Sequence, residues 1–119
     1  MRKYLIIAAV AVSSMASANA FAASKVCVSN AGGYVMNFAL MAEFGGEWVA
    51  WKSTGNYPIG QSKCIDTSAL PNGTKMYPRM AAILGKHKNC SPTVTKADEE
   101  SFNYTASGTT LSPHCEIPS

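Results

Sequence analysis

Residues 34–53 read YVMNFALMAEFGGEWVAWKS, and the fold turns on how this stretch is read. In Tyr34–Ala42, Tyr34, Met36, Phe38 and Leu40 fall on one face of a strand, and Val35, Asn37, Ala39 and Met41 on the other. Both faces are mostly apolar, which suits a strand in the middle of a sheet. The rival is a short helix, since Met, Leu and Ala favour helix. The glycine pairs on either side, Gly32-Gly33 and Gly45-Gly46, decide for a strand bounded by turns. Glu47–Ser53 then reads as a second strand. Trp48 and Trp51 are three positions apart, so a regular strand sends their rings to opposite faces.

Working outward, the same pattern repeats. Lys25–Asn30 alternates, with Val26 and Val28 on one face. Lys63–Ser68 is a short strand carrying Cys64 and Ile65. Pro71-Asn72-Gly73 signals a turn, and Asn-Gly suits a type I′ hairpin. Lys75–Leu84 reads as a strand in which Pro78 implies an edge or a bulge. Residues 85–92 form a basic, polar loop. Phe102–Ala106 alternates, and residues 108–111 turn into a last strand ending near Cys115. Six to eight short strands separated by Gly, Pro and Asn predict an all-β domain, a small antiparallel β-sandwich or partly open barrel.

The N-terminus has a different logic. Arg2 and Lys3 precede an apolar run, Tyr4–Val12, and then a small, polar stretch to Ala23. This is the layout of a secretory signal peptide, with cleavage expected after Ala22 and Ala20 as the alternative. The run is shorter than the roughly 20 residues of a spanning helix. The expected organisation is a signal over 1–22 and one β domain over 23–119, exported to the periplasm or the extracellular space.

Loss of residues 1–22 leaves 8 basic and 7 acidic residues, a formal charge of +1 in place of +3. So slight a balance gives no reason to expect a nucleic-acid partner. Cys27, Cys64, Cys90 and Cys115 are spaced 37, 26 and 25 residues apart. An even count in an oxidising compartment predicts two disulfides. The nested pairing, Cys27 with Cys115 and Cys64 with Cys90, would tie the domain ends together. The sequential pairing, Cys27 with Cys64 and Cys90 with Cys115, is its competitor. No two cysteines or histidines have the close spacing of a metal site, so neither metal nor cofactor is expected.

Three segments carry a resemblance: Cys27-Val28-x-Asn30-x-Gly32-x-x-Val35, Tyr57-Pro58-Ile59-x-Gln61-x-x-Cys64 and Gly108-Thr109-Thr110-Leu111-x-x-x-Cys115. Together the chain resembles a group of small secreted, cysteine-containing all-β proteins of largely uncharacterised function. The resemblance implies an exported, disulfide-stapled β domain and transfers no catalytic residue.

Little in the chain points to catalysis. His87 lies between Lys86 and Lys88 and reads as part of a solvated basic loop. Ser91, His114 and Asp66 supply the residue types of a triad, but no Gly-x-Ser-x-Gly elbow presents the serine. The aromatic residues carry more promise, because an exposed ring on a sheet can stack on a sugar or anchor a protein partner. Trp48 or Trp51, with Tyr57, is the expected patch, with Lys52 as its polar edge and Tyr77 as a further ring. The leading expectation is a non-enzymatic module that binds a protein or glycan surface. A small hydrolase or hydrolase inhibitor is the second reading, and a membrane-active, pore-forming β protein the third.

Overall fold

The computed structural model describes residues 24–118. The expected signal segment and its cleavage site lie outside the described residues. Nine strands run in the order β1 (Lys25–Asn30), β2 (Met36–Phe44), β3 (Glu47–Ser53), β4 (Ser62–Asp66), β5 (Lys75–Ala82), β6 (His87–Asn89), β7 (Val94–Thr95), β8 (Ser101–Thr109) and β9 (Ser112–Glu116). They form two sheets, ordered β4-β1-β8-β9 and β3-β2-β5-β6, with β7 also paired to β5. The sheets do not close into a barrel. The molecule is an all-β sandwich, and the disputed stretch 34–53 supplies a hairpin of its second sheet.

Alternation builds the core. Met36, Phe38, Leu40 and Ala42 of β2 and Met76, Pro78, Met80 and Ala82 of β5 face inward and are buried. They meet Val26 and Val28 of β1, Ile65 of β4 and Tyr104 and Ala106 of β8. Every adjacent pair is antiparallel except β1 with β8, which runs parallel. These two strands are remote in sequence, as a parallel neighbour must be.

Three expectations change. Pro78 occupies a strand paired on both sides rather than an edge. Its carbonyl accepts from the Cys90 N–H at 2.8 Å, on the side where β7 gives way to β6. The donor that proline lacks faces that break, so no ladder bond is lost. Pro71-Asn72-Gly73 does not join a hairpin, since β4 and β5 belong to different sheets. The Thr74 N–H donates to the Pro71 carbonyl at 3.2 Å, and only Gly73 has positive φ, at 93°. That is a type II turn, because type I′ needs both central residues at positive φ. The basic loop also contains a strand, β6.

The disulfide pairing is sequential, and the nested pairing is corrected. Cys27 and Cys64 sit directly opposite one another in β1 and β4 and are bonded. Cys90, just beyond β6, is bonded to Cys115 of β9. Nesting would have to join β1 to β9 across β8. Two strand spacings are about 10 Å, beyond the roughly 7 Å limit between bridged Cα atoms. The two bonds act differently. Cys27–Cys64 links neighbours within one sheet, whereas Cys90–Cys115 joins the two sheets along one side of the sandwich.

Candidate functional site

The five residues expected to bind are not brought together. Tyr57 is 1% exposed, and its hydroxyl donates to the Val28 carbonyl at 2.8 Å. It is a core residue that bridges the sheets, so it leaves the proposed patch. Trp51 falls at a bulge where β3 shifts register against β2, between Ala50 opposite Met41 and Lys52 opposite Leu40. The extra residue turns Trp51 toward the core, against which it packs half-buried. The Lys52 ammonium lies 4.6 Å from the centre of the Trp51 ring and caps that open edge.

Trp48 and Tyr77 do converge. Trp48 pairs with Glu43 of β2, and Tyr77 pairs with Met41, so the two rings approach above β2 from opposite sides. Their centres are 4.9 Å apart in an edge-on arrangement, and Trp48 remains 39% exposed. Farther along the same outer face, Asn37, Ala39, Arg79 and Ala81 border a shallow hollow of about 180 Å³, with His87 at its side. The Arg79 guanidinium donates to His87 Nδ1 at 3.2 Å. Asn37 donates to the Asn56 side-chain oxygen at 2.8 Å.

The other notable surface is one end of the sandwich. The loops β1–β2, β3–β4, β5–β6 and β8–β9 all lie there. The Ile83 N–H donates to Val35 O at 2.9 Å, the Gly60 N–H to Asn30 O at 2.8 Å and the Lys86 N–H to Thr110 O at 2.8 Å. Gly85 lies so close to Thr110 that a Cβ there would stand 2.4 Å from its carbonyl oxygen. Each loop exposes one aliphatic side chain: Val35 at 42%, Ile59 at 59%, Leu84 at 99% and Leu111 at 70%. Leu84 stands on left-handed backbone, with φ of 60°, a conformation unusual for a bulky residue.

Charge follows the same geography. The acidic residues are Glu43, Glu47, Asp66, Asp98, Glu99, Glu100 and Glu116, and none lies in these four loops. Lys86 does lie there, beside Leu84. Sequence reasoning missed this end because it read Leu84 as a strand residue and Leu111 only as part of a turn into the last strand. The available signal was a large aliphatic residue set among Gly, Thr and Ser at a turn.

No catalytic arrangement forms from Ser91, His114 and Asp66. Asp66 lies in β4 and His114 in β9, at opposite edges of one four-stranded sheet. Hydrogen bonds from Ser68, followed by the charges of Lys52 and Lys25, hold the Asp66 carboxyl below its usual range. Among the described residues, no group of three or more His, Cys, Asp or Glu side chains is placed to hold a metal ion. No helix of the described residues is long and apolar enough to cross a membrane.

No family model and no curated protein matches the chain. Several solved structures are similar to the chain over part of their own length. A non-hemolytic pneumolysin from Streptococcus pneumoniae is similar at 15% identity and a TM-score of 0.48, over 81% of this chain and 23% of its own. Listeriolysin O is similar at 14% identity and a TM-score of 0.48, over 81% and 22%. Suilysin, a cytotoxin from Streptococcus suis, is similar at 17% identity and a TM-score of 0.42, over 78% and 22%. The chain thus spans less than a quarter of the length of these structures.

Proposed function

We propose that this is an exported membrane-docking module that seats the four-loop end of its sandwich in the interfacial region of a lipid bilayer. The observation that carries this reading is the coincidence of four exposed aliphatic side chains on four separate loops at one end. Scattered exposed apolar residues are ordinary, but a cluster this consistent marks an interaction surface. A lipid interface suits it better than a protein pocket does. The side chains belong to four separate loops, and anchors in a soft medium can be dispersed in this way. Fully burying a Leu or Ile side chain stabilises by about 1.5–3 kcal/mol, and Val by the low end of that range. The absence of acidic residues from these loops, with Lys86 beside Leu84, avoids repulsion from an anionic surface. Two disulfides suit a domain that works in an oxidising compartment.

The test is vesicle co-sedimentation of the protein purified after export, with phosphatidylcholine vesicles and with vesicles containing phosphatidylglycerol. The wild type should pellet with vesicles, more strongly with the anionic lipid. The double variant Leu84→Asn, Leu111→Asn should remain in the supernatant. Each replacement should cost about tenfold or more in partitioning. Asn tolerates the left-handed backbone at position 84, so the fold should be undisturbed there. A wild type that fails to pellet with either vesicle, or a variant that pellets equally, overturns the reading.

A further inference from the structure

We propose that the hollow on the outer face of the β3-β2-β5-β6 sheet binds a carboxylated sugar residue of a glycan. This goes beyond bilayer docking and stands on different residues. Arg79 and Tyr77 are alternate residues of β5 and therefore share the outer face, about 7 Å apart along the strand. That spacing lets one pyranose ring rest against the Tyr77 and Trp48 rings while a carboxylate on it reaches the guanidinium.

Four observations favour this occupant. Trp48 and Tyr77 meet edge-on, and Trp48 is 39% exposed, which leaves ring surface against which the C–H face of a sugar can pack. Arg79 is exposed and bonds a ring nitrogen, His87 Nδ1, rather than an acid. The ion pair found among the described residues, Lys96 with Asp98, is elsewhere. The guanidinium therefore has its planar fork available for a carboxylate, which it grips with two parallel bonds. The floor is made of Ala39, opposite Arg79, and Ala81, opposite both Asn37 and His87. Small side chains at these two positions leave the hollow open, and Asn37 supplies an amide at its border for sugar hydroxyls. The one acid on β2, Glu43, lies at the Trp48 end of the face, two alternations beyond Ala39.

A plain anion would need Arg79 but not the rings. A neutral sugar would need the rings but not Arg79. The experiment separates these cases by following the backbone and side-chain amide signals of the full exported protein by NMR. The probes are sialyllactose, glucuronate, lactose and inorganic phosphate. Saturable shifts at Asn37, Ala39, Arg79 and the Trp48 indole with sialyllactose or glucuronate, and none with lactose or phosphate at the same concentration, are expected. Arg79→Gln should weaken binding about tenfold or more, and Trp48→Ala should also weaken it, each with the rest of the spectrum retained. Both side chains are exposed or half-exposed, and the unperturbed signals report that the fold survives. Four results overturn the proposal: no shift with either acidic sugar, equal shifts with lactose, equal shifts with phosphate, or binding that survives Arg79→Gln. Because every probe is soluble, the outcome is independent of whether the loop end enters a bilayer.

Discussion

Single residues hold the sandwich together with bonds that the sequence does not advertise. Asn30 is 2% exposed at the end of β1 and pairs both polar atoms of its side chain. Its amide donates to Tyr34 O at 2.7 Å and Tyr57 O at 3.2 Å, and its oxygen accepts from the Gly32 N–H at 3.0 Å. Three tyrosines act similarly. Tyr34, Tyr57 and Tyr104 donate to the carbonyls of Ser107, Val28 and Pro92. Burial raises all three phenols, Tyr104 from 10.0 to about 12, and Tyr57 further still with Tyr34 beside it. A raised phenol means that the fold favours the neutral ring. That contribution is complete below about pH 10 and is lost as pH rises toward 12 and beyond. From neutral pH, these phenols should leave stability against urea unchanged up to about pH 10 and make it fall steeply above that. The tyrosinate absorbance of these three rings should grow together with loss of the fold. A full tyrosinate signal from a still-folded protein would contradict this account.

At the scale of elements, β3 is the exposed edge that needs protection. Residues 48–51, WVAW, offer a short apolar strand to any passing edge, the arrangement that invites sheet-to-sheet association. Two devices oppose it. The bulge at Trp51 breaks the regular spacing of free backbone groups, and Glu47 and Lys52 place charges at either end of the apolar run. Lys52→Val should leave the monomer folded but raise its tendency to self-associate, read as a concentration-dependent rise in sedimentation coefficient. An unchanged monomer at all concentrations would show that the bulge alone suffices. The opposite edge, β6 against β9, is closed by the Cys90–Cys115 bond. The strands themselves were legible because their alternation and turn residues are local signals. The pairing of Cys27 with Cys64 was not, since it follows from β1 lying beside β4, a contact between segments 37 residues apart. Trp51 was placed inward or outward only by a one-residue register shift, which no periodicity reveals.

Across the whole molecule, the aromatic pair and the aliphatic loops are set apart. The aromatic pair lies toward the β2–β3 hairpin, whereas the aliphatic loops occupy the other end. Trp48 therefore reports on the geometry of docking. When the protein binds vesicles through its loop end, Trp48 should keep its access to an aqueous quencher such as iodide. Protection of Trp48 on binding would mean that the sheet face, and not the loop end, meets the bilayer. The sequence by itself determined the class of fold: alternation at period two, glycine pairs at the turns and an even number of cysteines are properties of short segments. It also supplied the residues of both surfaces. Only the tertiary structure decided how they are grouped. Val35, Ile59, Leu84 and Leu111 lie in four loops separated by tens of residues, and they become one surface because alternate connections of the sandwich return to the same end. Trp48 joined Tyr77 and lost Tyr57 for the same kind of reason. Which face a side chain takes is a local matter, but which other side chains share that face depends on strand order, and strand order is fixed by the packing of the whole core.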